Sequence, residues 1–583
     1  MATQAQRSIQ QDMVARRLPW LIVFILVVSA ILIIRVVWLQ FLPDQRVQRE
    51  FAAQREATSG RTERFESERG IIYDRNGNRL AVNTLQYRVG VNPPWVSDPR
   101  EVSNQLAAIL NRDPLELYNI MISDVGWAFI ETVDPETWQQ ISQIETFGID
   151  AERVYRRAYP QGPLASHVIG FVAGTGEDAR GYNGVEGARN DDLSGGIRDQ
   201  EVSNIPFGVP IDPSEFGSGV DLVLTLDRDI QFLIETELQL AIDSTQSVGG
   251  TILVMNPRNG DILGMASYPT FDPNFYDQVE NENVLNNPAV SSVFEPGSTF
   301  KVLTVAAGLE TGAVTPDWTY FDTGVIDDVG GITIRNWNLQ SNGLTDLTTV
   351  LVSSLNVGTA TISREMGVDT FYSMMGRFGI GRPTLVELQG EVGGTLRIPG
   401  DALWSESDLL TNSFGQGVAL TPLQLLTAVN AIANDGLMMQ PRIIHQRIDG
   451  DTISTASTSA LSSPISATTA NLVTDMMVAT VRDGLDEAAQ LPGYSVAGKT
   501  GTAEIPDVLG YRDDAWIMSI VAFLPADDPQ VSILIKLDEP ANGRWASQVV
   551  APVFRRLAER LVVLMEIPPD AERLSMQQAS LNP

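Results

Sequence analysis

Phe294-Glu295-Pro296-Gly297-Ser298-Thr299-Phe300-Lys301, followed by the apolar run Val302 to Leu309 and by Gly312, is the stretch on which the reading of this chain turns. Pro-Gly punctuates a helix start, and the run behind it has helical length. Ser298 and Lys301 then stand three residues apart in a first helical turn, with hydroxyl and amine on one face. A serine is a weak nucleophile until a base takes its proton. A lysine serves as that base when burial and a neighbouring positive charge lower its pKa. The helix N-terminus adds support for negative charge developing at Ser298.

Lysine usage sharpens this reading. Of 40 basic residues only Lys301, Lys499 and Lys536 are lysine; the other 37 are arginine. Lys499 lies in Val496-Ala-Gly-Lys499-Thr500-Gly501-Thr502-Ala503-Glu504. Small residues flank it in a strand pattern, so an extended ligand can approach the strand edge closely, its carboxylate near Lys499, Thr500 and Thr502. By chance, Ser-x-x-Lys is expected about 0.2 times in such a chain and Lys-Thr-Gly about 0.02 times. Arginine cannot stand in for Lys301 as a base, because its guanidinium is not deprotonated in proteins. Lys536 reads as a solvated residue at a strand end. Between the two motifs stands Ser353-Ser354-Leu355-Asn356-Val357-Gly358. Alone this is a turn or cap pattern; its weight comes from order and distance.

Composition removes several chemistries. The chain has 583 residues, no cysteine, two histidines (His167 and His445) and a formal charge of −32. Cysteine nucleophiles, disulfides, Cys-ligated zinc and iron–sulfur clusters are excluded. A strongly acidic surface disfavours nucleic acid as a partner. The length calls for more than one domain.

Leu18 to Ile34 carries no charge, Arg35 interrupts, and Val36 to Leu42 continues the apolar run. Some 25 helical residues reach roughly 37 Å, enough for a hydrocarbon core of about 30 Å. Trp20 and Trp38 fall near the ends, where aromatic belts form. No small-x-small cleavage site follows, which separates the run from a signal peptide. Arginines flank both sides almost equally; the short leader points to a small cytoplasmic tail with the remainder outside. The expected organisation is a tail (1–17), a transmembrane helix (18–42), a stalk and non-catalytic pedestal (43–215), a catalytic domain (216–566) and a disordered tail (567–583). Asn76-Gly77 between apolar strands signals a hairpin, and the Pro- and Gly-rich segment 203–218 a boundary. Strands are expected at 221–227, 250–255, 261–267, 494–505, 516–524 and 531–537, and helices at 228–242 and 546–565.

Taken together, Ser298-x-x-Lys301, Ser354-Leu355-Asn356 and Lys499-Thr500-Gly501 resemble the active-site triplet of penicillin-binding transpeptidases and serine β-lactamases. Phe414-Gly-Gln-Gly417 with Leu420-Thr-Pro-Leu-Gln424, and Asn256-Pro257-x-x-Gly260 with Met265-Ala-Ser-Tyr-Pro269, resemble class B penicillin-binding proteins. So do Arg69-Gly70 with Asp74-Arg-Asn-Gly77, Arg157-Ala-Tyr-Pro160 with His167 and Gly170, and Gly181-x-x-Gly184-Val-Glu186. The resemblance runs from the anchor to about residue 565.

This resemblance implies an α+β multidomain protein: an N-terminal transmembrane helix, a mixed α/β pedestal of the dimerisation type, and a serine β-lactamase-like transpeptidase domain with helices on both faces of an antiparallel sheet. It implies that Ser298 is acylated by the penultimate D-alanine carbonyl of a peptidoglycan stem peptide. Lys301 would take the Ser298 proton, and Ser354 and Asn356 would relay protons and position the substrate amide. Lys499 would supply the field and, with Thr500 and Thr502, bind the terminal carboxylate beside Gly501. The Ser298 and Thr502 N–H groups would form the oxyanion hole. No metal or organic cofactor is implied. The implied partners are D-Ala-D-Ala stem peptides, β-lactams as inhibitors, the bacterial cytoplasmic membrane and a SEDS-family glycosyltransferase, with no nucleic acid. Ser-Leu-Asn-Val-Gly leans toward the division type. Glu504 stands where relatives often carry glutamine, a place to alter substrate or β-lactam preference. Two alternatives use the same residues: a D,D-carboxypeptidase or β-lactamase-like hydrolase, and a non-catalytic β-lactam sensor or division scaffold. The long pedestal counts against the first, and the complete motif set against the second.

Overall fold

The computed structural model describes residues 20, 23–35, 61–66, 68–174, 178–195, 197–202, 218–507 and 510–581. The chain divides into two compact units, Met1–Phe65 with Arg198–Glu215, and Glu66–Ile197 with Phe216–Pro583. In the first, residues 23–35 are helical with exposed apolar side chains such as Phe24, Leu26 and Ile31. Among the described residues no helix is long and apolar enough to cross a membrane. The expected span 18–42 lies partly outside the described residues, as does most of the expected boundary 203–218, and the tail 1–17 lies wholly outside them. Arg61–Glu66, within the expected stalk, is a strand paired with Ile197–Val202.

In the second unit the strands Ile72–Tyr73 (β1) and Arg79–Val91 (β2) form the hairpin foreseen at Asn76-Gly77. The Asp74 carboxylate accepts the N–H groups of Asn76 and Asn78 at 2.9 and 2.7 Å, which fixes the turn. β2 also pairs with Ala128–Val133 (β3) and Ile149–Ala158 (β4), both antiparallel. Asp221–Leu224 (β5) pairs in parallel with β1 and antiparallel with Ile444–Asp449. A strand expected to open the catalytic domain thus completes the pedestal sheet. A two-residue β1 needs a second neighbour to satisfy its other edge.

The arginine and glutamate boxes of the pedestal meet in one buried cluster. Glu186, fully buried, accepts from Arg157 Nε at 2.6 Å and Arg69 Nε at 2.7 Å. A buried carboxylate that loses such a partner costs on the order of 3–5 kcal/mol, so these residues act as a structural lock. His167 is buried as well, edge-on to Phe271 at 5.3 Å, and its Nε2–H donates to the Val284 carbonyl at 2.8 Å. Burial lowers its pKa from 6.5 to about 4. The unfolded chain therefore takes up a proton as pH falls from 6.5 toward 4 while the folded state does not. Stability contributed by neutral His167 is complete above 6.5 and falls by about 3 kcal/mol across that window. Urea midpoints should drop less between pH 7 and pH 4.5 in His167→Gln than in the parent; equal drops would refute this assignment.

The region expected to be catalytic is built on Gly249–Met255 (β6) and Ile262–Tyr268 (β7), followed by the short antiparallel pair Thr319–Asp322 (β8) and Gly343–Asp346 (β9). Ala497–Asp507 (β10), Gly510–Leu524 (β11) and Val531–Asp538 (β12) complete its main sheet. The sheet is antiparallel throughout, in the order β7-β6-β12-β11-β10. Its central strands are apolar at consecutive positions because both faces are covered. Ile252, Val254, Ile533, Ile535 and Leu537 share a core with Arg228–Thr245 (α1). Leu253, Met255 and Leu534 share another with Lys301–Glu310 (α2), Asn356–Met366 (α3) and Pro422–Ala433 (α4). Ala546–Leu564 (α5) lies on the α1 side, placing Val550, Phe554 and Leu557 in that first core. Each such buried apolar side chain contributes roughly 1.5–3 kcal/mol.

Two expectations need correction. Lys536 is not solvated: it is buried in central β12, its ammonium 5.3 Å over the Phe294 ring and paired with Asp538. The last residues are not a disordered tail, because Asp570–Leu581 (α6) is a helix. Arg573, buried, ties it to Asp527 at 2.5 Å, while the Asp570 carboxylate accepts Ser495 N–H at 2.6 Å.

Candidate active site

Ser298 sits half-buried on a 3-10 turn, Gly297–Phe300, that runs directly into α2. The turn is pinned from both sides. Gly297 N–H donates to the Gly415 carbonyl at 3.1 Å, and Thr299 Oγ1 donates to Pro296 O at 2.7 Å. Gly297 has φ +55°, a conformation glycine adopts without strain. Across from the turn runs β10. A Cβ on Gly501 would lie 2.8 Å from the Pro296 carbonyl and 3.1 Å from Thr299 Cγ2, so only glycine lets the strand abut the serine turn. This is the physical content of the Lys-Thr-Gly motif here.

Lys301 is the first residue of α2 and is completely buried. Its Nζ donates to Ser354 O and Asn356 Oδ1, both at 2.6 Å, and to Ser354 Oγ at 3.3 Å. Lys499 Nζ, also buried, donates to the same Ser354 Oγ at 3.1 Å and to the Thr500 carbonyl at 3.1 Å. Four of the sequence candidates, Lys301, Ser354, Asn356 and Lys499, therefore form one hydrogen-bonded cluster. Ser354 has φ +54°, which turns its carbonyl toward Lys301; strained non-glycine backbone of this kind concentrates at functional sites. Asn356 Nδ2 donates to Arg335 O at 2.9 Å, which orients its Oδ1 toward Lys301.

Burial, and then the positive charge of Lys499, hold Lys301 well below the ordinary lysine range. Burial alone brings Lys499 down from 10.5 to about 8. The cluster thus contains one amine inclined to be neutral beside one that keeps its charge near pH 7. Ser298 Oγ makes no hydrogen bond among the described residues, so its hydroxyl is not joined to the cluster in this structure. Thr502 Oγ1 accepts the Ala546 N–H at 3.2 Å, linking β10 to the start of α5.

Residues outside the three motifs also meet at the site. Trp337 Nε1 donates to Ser353 O at 3.0 Å, and its ring meets Trp545 edge-on at 5.1 Å, tying the serine-asparagine loop to the residue capping α5. Glu295, nearly buried, accepts Gly417 N–H at 2.9 Å and Tyr511 O–H at 3.0 Å. Burial raises its pKa against these two bonds. Glu504 is exposed and accepts Gln416 Nε2 at 3.0 Å. Of these, Glu504 is singled out by its place after Lys499-Thr-Gly-Thr-Ala503, and Glu295 could be suspected from its place beside Pro296-Gly297-Ser298.

Comparison with known proteins decides the family. The penicillin-binding protein transpeptidase domain matches residues 250–559, and the penicillin-binding protein dimerisation domain residues 64–204. The chain belongs to the class B penicillin-binding protein family. It is 32% identical to stage V sporulation protein D of Bacillus subtilis over 93% of this chain and 84% of that protein. It is 31% identical to the probable peptidoglycan D,D-transpeptidase FtsI of Caulobacter vibrioides, covering 90% and 86%. The crystal structure of penicillin-binding protein 3 from Mycobacterium tuberculosis complexed with aztreonam superposes with a TM-score of 0.67 at 29% identity, over 87% and 98% of the two chains. Penicillin-binding protein 2X from Streptococcus thermophilus shares the fold, with a TM-score of 0.74 at 22% identity over 86% and 80%. This penicillin-binding protein is a peptidoglycan D,D-transpeptidase of the serine type.

Proposed function

We propose that this transpeptidase forms its acyl-enzyme on Ser298 and that Lys301 is the base that receives the Ser298 proton. The observation that carries the assignment is the burial of Lys301 within bonding distance of Ser354 and Asn356, with Lys499 beside them. Ser298 Oγ attacks the penultimate D-alanine carbonyl of a donor stem peptide. The N–H groups of Ser298 and Thr502 receive the oxyanion. The C–N bond breaks, the terminal D-alanine leaves with a proton delivered through Ser354, and an ester remains on Ser298. An amine of a neighbouring stem then attacks that ester, restoring the serine hydroxyl and closing a peptide cross-link. Lys499, Thr500 and Thr502 hold the donor's terminal carboxylate on the β10 edge, where Gly501 admits it. A β-lactam enters the same path and stops at the ester. No step calls for a metal or organic cofactor.

Residues 18–42 anchor the protein in the cytoplasmic membrane as a single span, with 1–17 inside and the pedestal and catalytic domain outside. Glycan polymerisation falls to a membrane glycosyltransferase partner of the SEDS family. The test is product analysis with a D-Ala-D-Ala stem donor and an amine acceptor. Cross-linked product should exceed hydrolysed donor at saturating acceptor; hydrolysis alone would make the enzyme a carboxypeptidase.

A further inference from the structure

Asp322 ends β8 with its carboxylate completely buried, and among the described residues it has no ion-pair partner. A buried carboxylate without a cation is expensive unless N–H donors surround it. Here they do. Oδ1 accepts Gly324 N–H at 3.1 Å and Asn336 Nδ2 at 3.2 Å. Oδ2 accepts Asn336 Nδ2 at 2.9 Å, Asn342 N–H at 3.0 Å and Asn342 Nδ2 at 2.8 Å. The carboxylate therefore gathers three points of the chain between β8 and β9.

What those points hold is the reacting cluster. Asn336, itself buried, turns its Oδ1 outward from Asp322 to accept the N–H of Val357 at 3.1 Å, in the first turn of α3. The residue before Asn336, Arg335, offers the carbonyl that takes Asn356 Nδ2 at 2.9 Å. Asn356 Oδ1 then receives Lys301 Nζ at 2.6 Å. On the other side, Asn342 leads into β9, whose Gly343 pairs with Asp322 and whose end continues into the helix Leu347–Val352 that delivers Ser354. Asn356 is thus reached from Asp322 by a short hydrogen-bonded path, and Ser354 along the chain through β9 and the helix that follows it.

We infer that Asp322 is a positioning residue for the transpeptidase, holding Asn356 and Ser354 in register with Lys301 through Asn336 and Asn342. This rests on the assignment of Lys301, Ser354 and Asn356 proposed above. Asp322 touches no reacting atom. Its carboxylate supplies four acceptor positions, and an amide in its place turns two of them into donors facing the asparagine N–H groups. A register error of about 1 Å at a catalytic group can cost about 100-fold in rate.

The experiment measures the first-order acylation rate constant and the non-covalent affinity for a fluorescent penicillin by stopped flow, on full-length protein counted by active-site titration. Asp322→Asn should lower the rate constant per titrated site about 10- to 100-fold with affinity changed far less. Asn342→Ala, at an exposed position, removes one side-chain donor and should lower it about 2- to 5-fold. A purely structural role would reduce the number of titratable sites and leave the rate constant per site intact. Parental rate constants in both variants, with Ser298→Ala silent, would overturn the role of Asp322. Labelling of Ser298→Ala would instead overturn the reading of the site on which it rests.

Discussion

Ser298→Ala protein folds and yet takes up no covalent label from a fluorescent penicillin. The side chain lost is one hydroxyl, half-buried and free of hydrogen bonds among the described residues, so its removal leaves no buried group unpaired. The turn that carries it is held by Gly297 and Thr299 rather than by Ser298 Oγ. Thermal stability should therefore stay within about 0.5 kcal/mol of the parent, while acylation falls below detection because no other group can form the ester. Gel fluorescence after denaturation reads the covalent adduct directly. Persistent labelling at parental rates would transfer the nucleophile to another residue.

Lys301→Arg is the second large effect, and the more discriminating one. The chain uses arginine at 37 of 40 basic positions, so a simple need for positive charge would be met by arginine. At position 301 it would fail in two ways. A guanidinium does not surrender its proton to become a base. It is also planar and longer, whereas the pocket offers Ser354 O, Asn356 Oδ1 and Ser354 Oγ to a single nitrogen at 2.6, 2.6 and 3.3 Å. Loss of general-base assistance predicts a fall of about 10³-fold in the acylation rate constant. A Lys301→Arg enzyme within tenfold of the parent would remove Lys301 from the role of base. The pH profile carries the same logic. Acylation rises with pH as Lys301 loses its proton, along a limb placed below the ordinary lysine range by burial and by Lys499. It should fall again as pH passes about 8, where Lys499 loses the charge proposed to hold the donor carboxylate.

The parts of the fold read from sequence are those where one periodic pattern meets one environment. The strands of the main sheet, β6, β7, β10, β11 and β12, are legible in the sequence, most plainly in β6, β11 and β12, where both faces are covered and the apolar runs are continuous. α1 and α5 were visible by amphipathic spacing. The start of α2 followed from Pro296-Gly297, although Ser298 lies on a 3-10 turn ahead of the α-helix. β5 follows the composition break yet belongs to the pedestal sheet, because a strand's allegiance is set by a free edge elsewhere. Lys536 reads as solvent-exposed, since nothing local announces that β12 is covered on both faces or that the Phe294 ring lies beside the amine. The docking of α6 depends on Arg573 finding Asp527, some 46 residues away.

The candidate site divides in the same way. Residue identity and spacing single out Ser298, Lys301 and Lys499 with Thr500 and Thr502, because chemistry limits which side chains can act as nucleophile, base and carboxylate ligand, whereas Ser354, Asn356 and Gly501 join them only through the resemblance of the three motifs to the penicillin-binding triplet. Spacing within a motif is local and survives in the sequence. Three-dimensional structure alone decided that Lys301 bonds Ser354 and Asn356, that both lysines are buried, and that one is thereby inclined to neutrality. It alone revealed Trp337 against Trp545, Glu295 beneath Tyr511, and Asp322 behind Asn356. Those contacts join segments tens to hundreds of residues apart, and burial, which sets the lysine pKa values, exists only once the segments have closed around them.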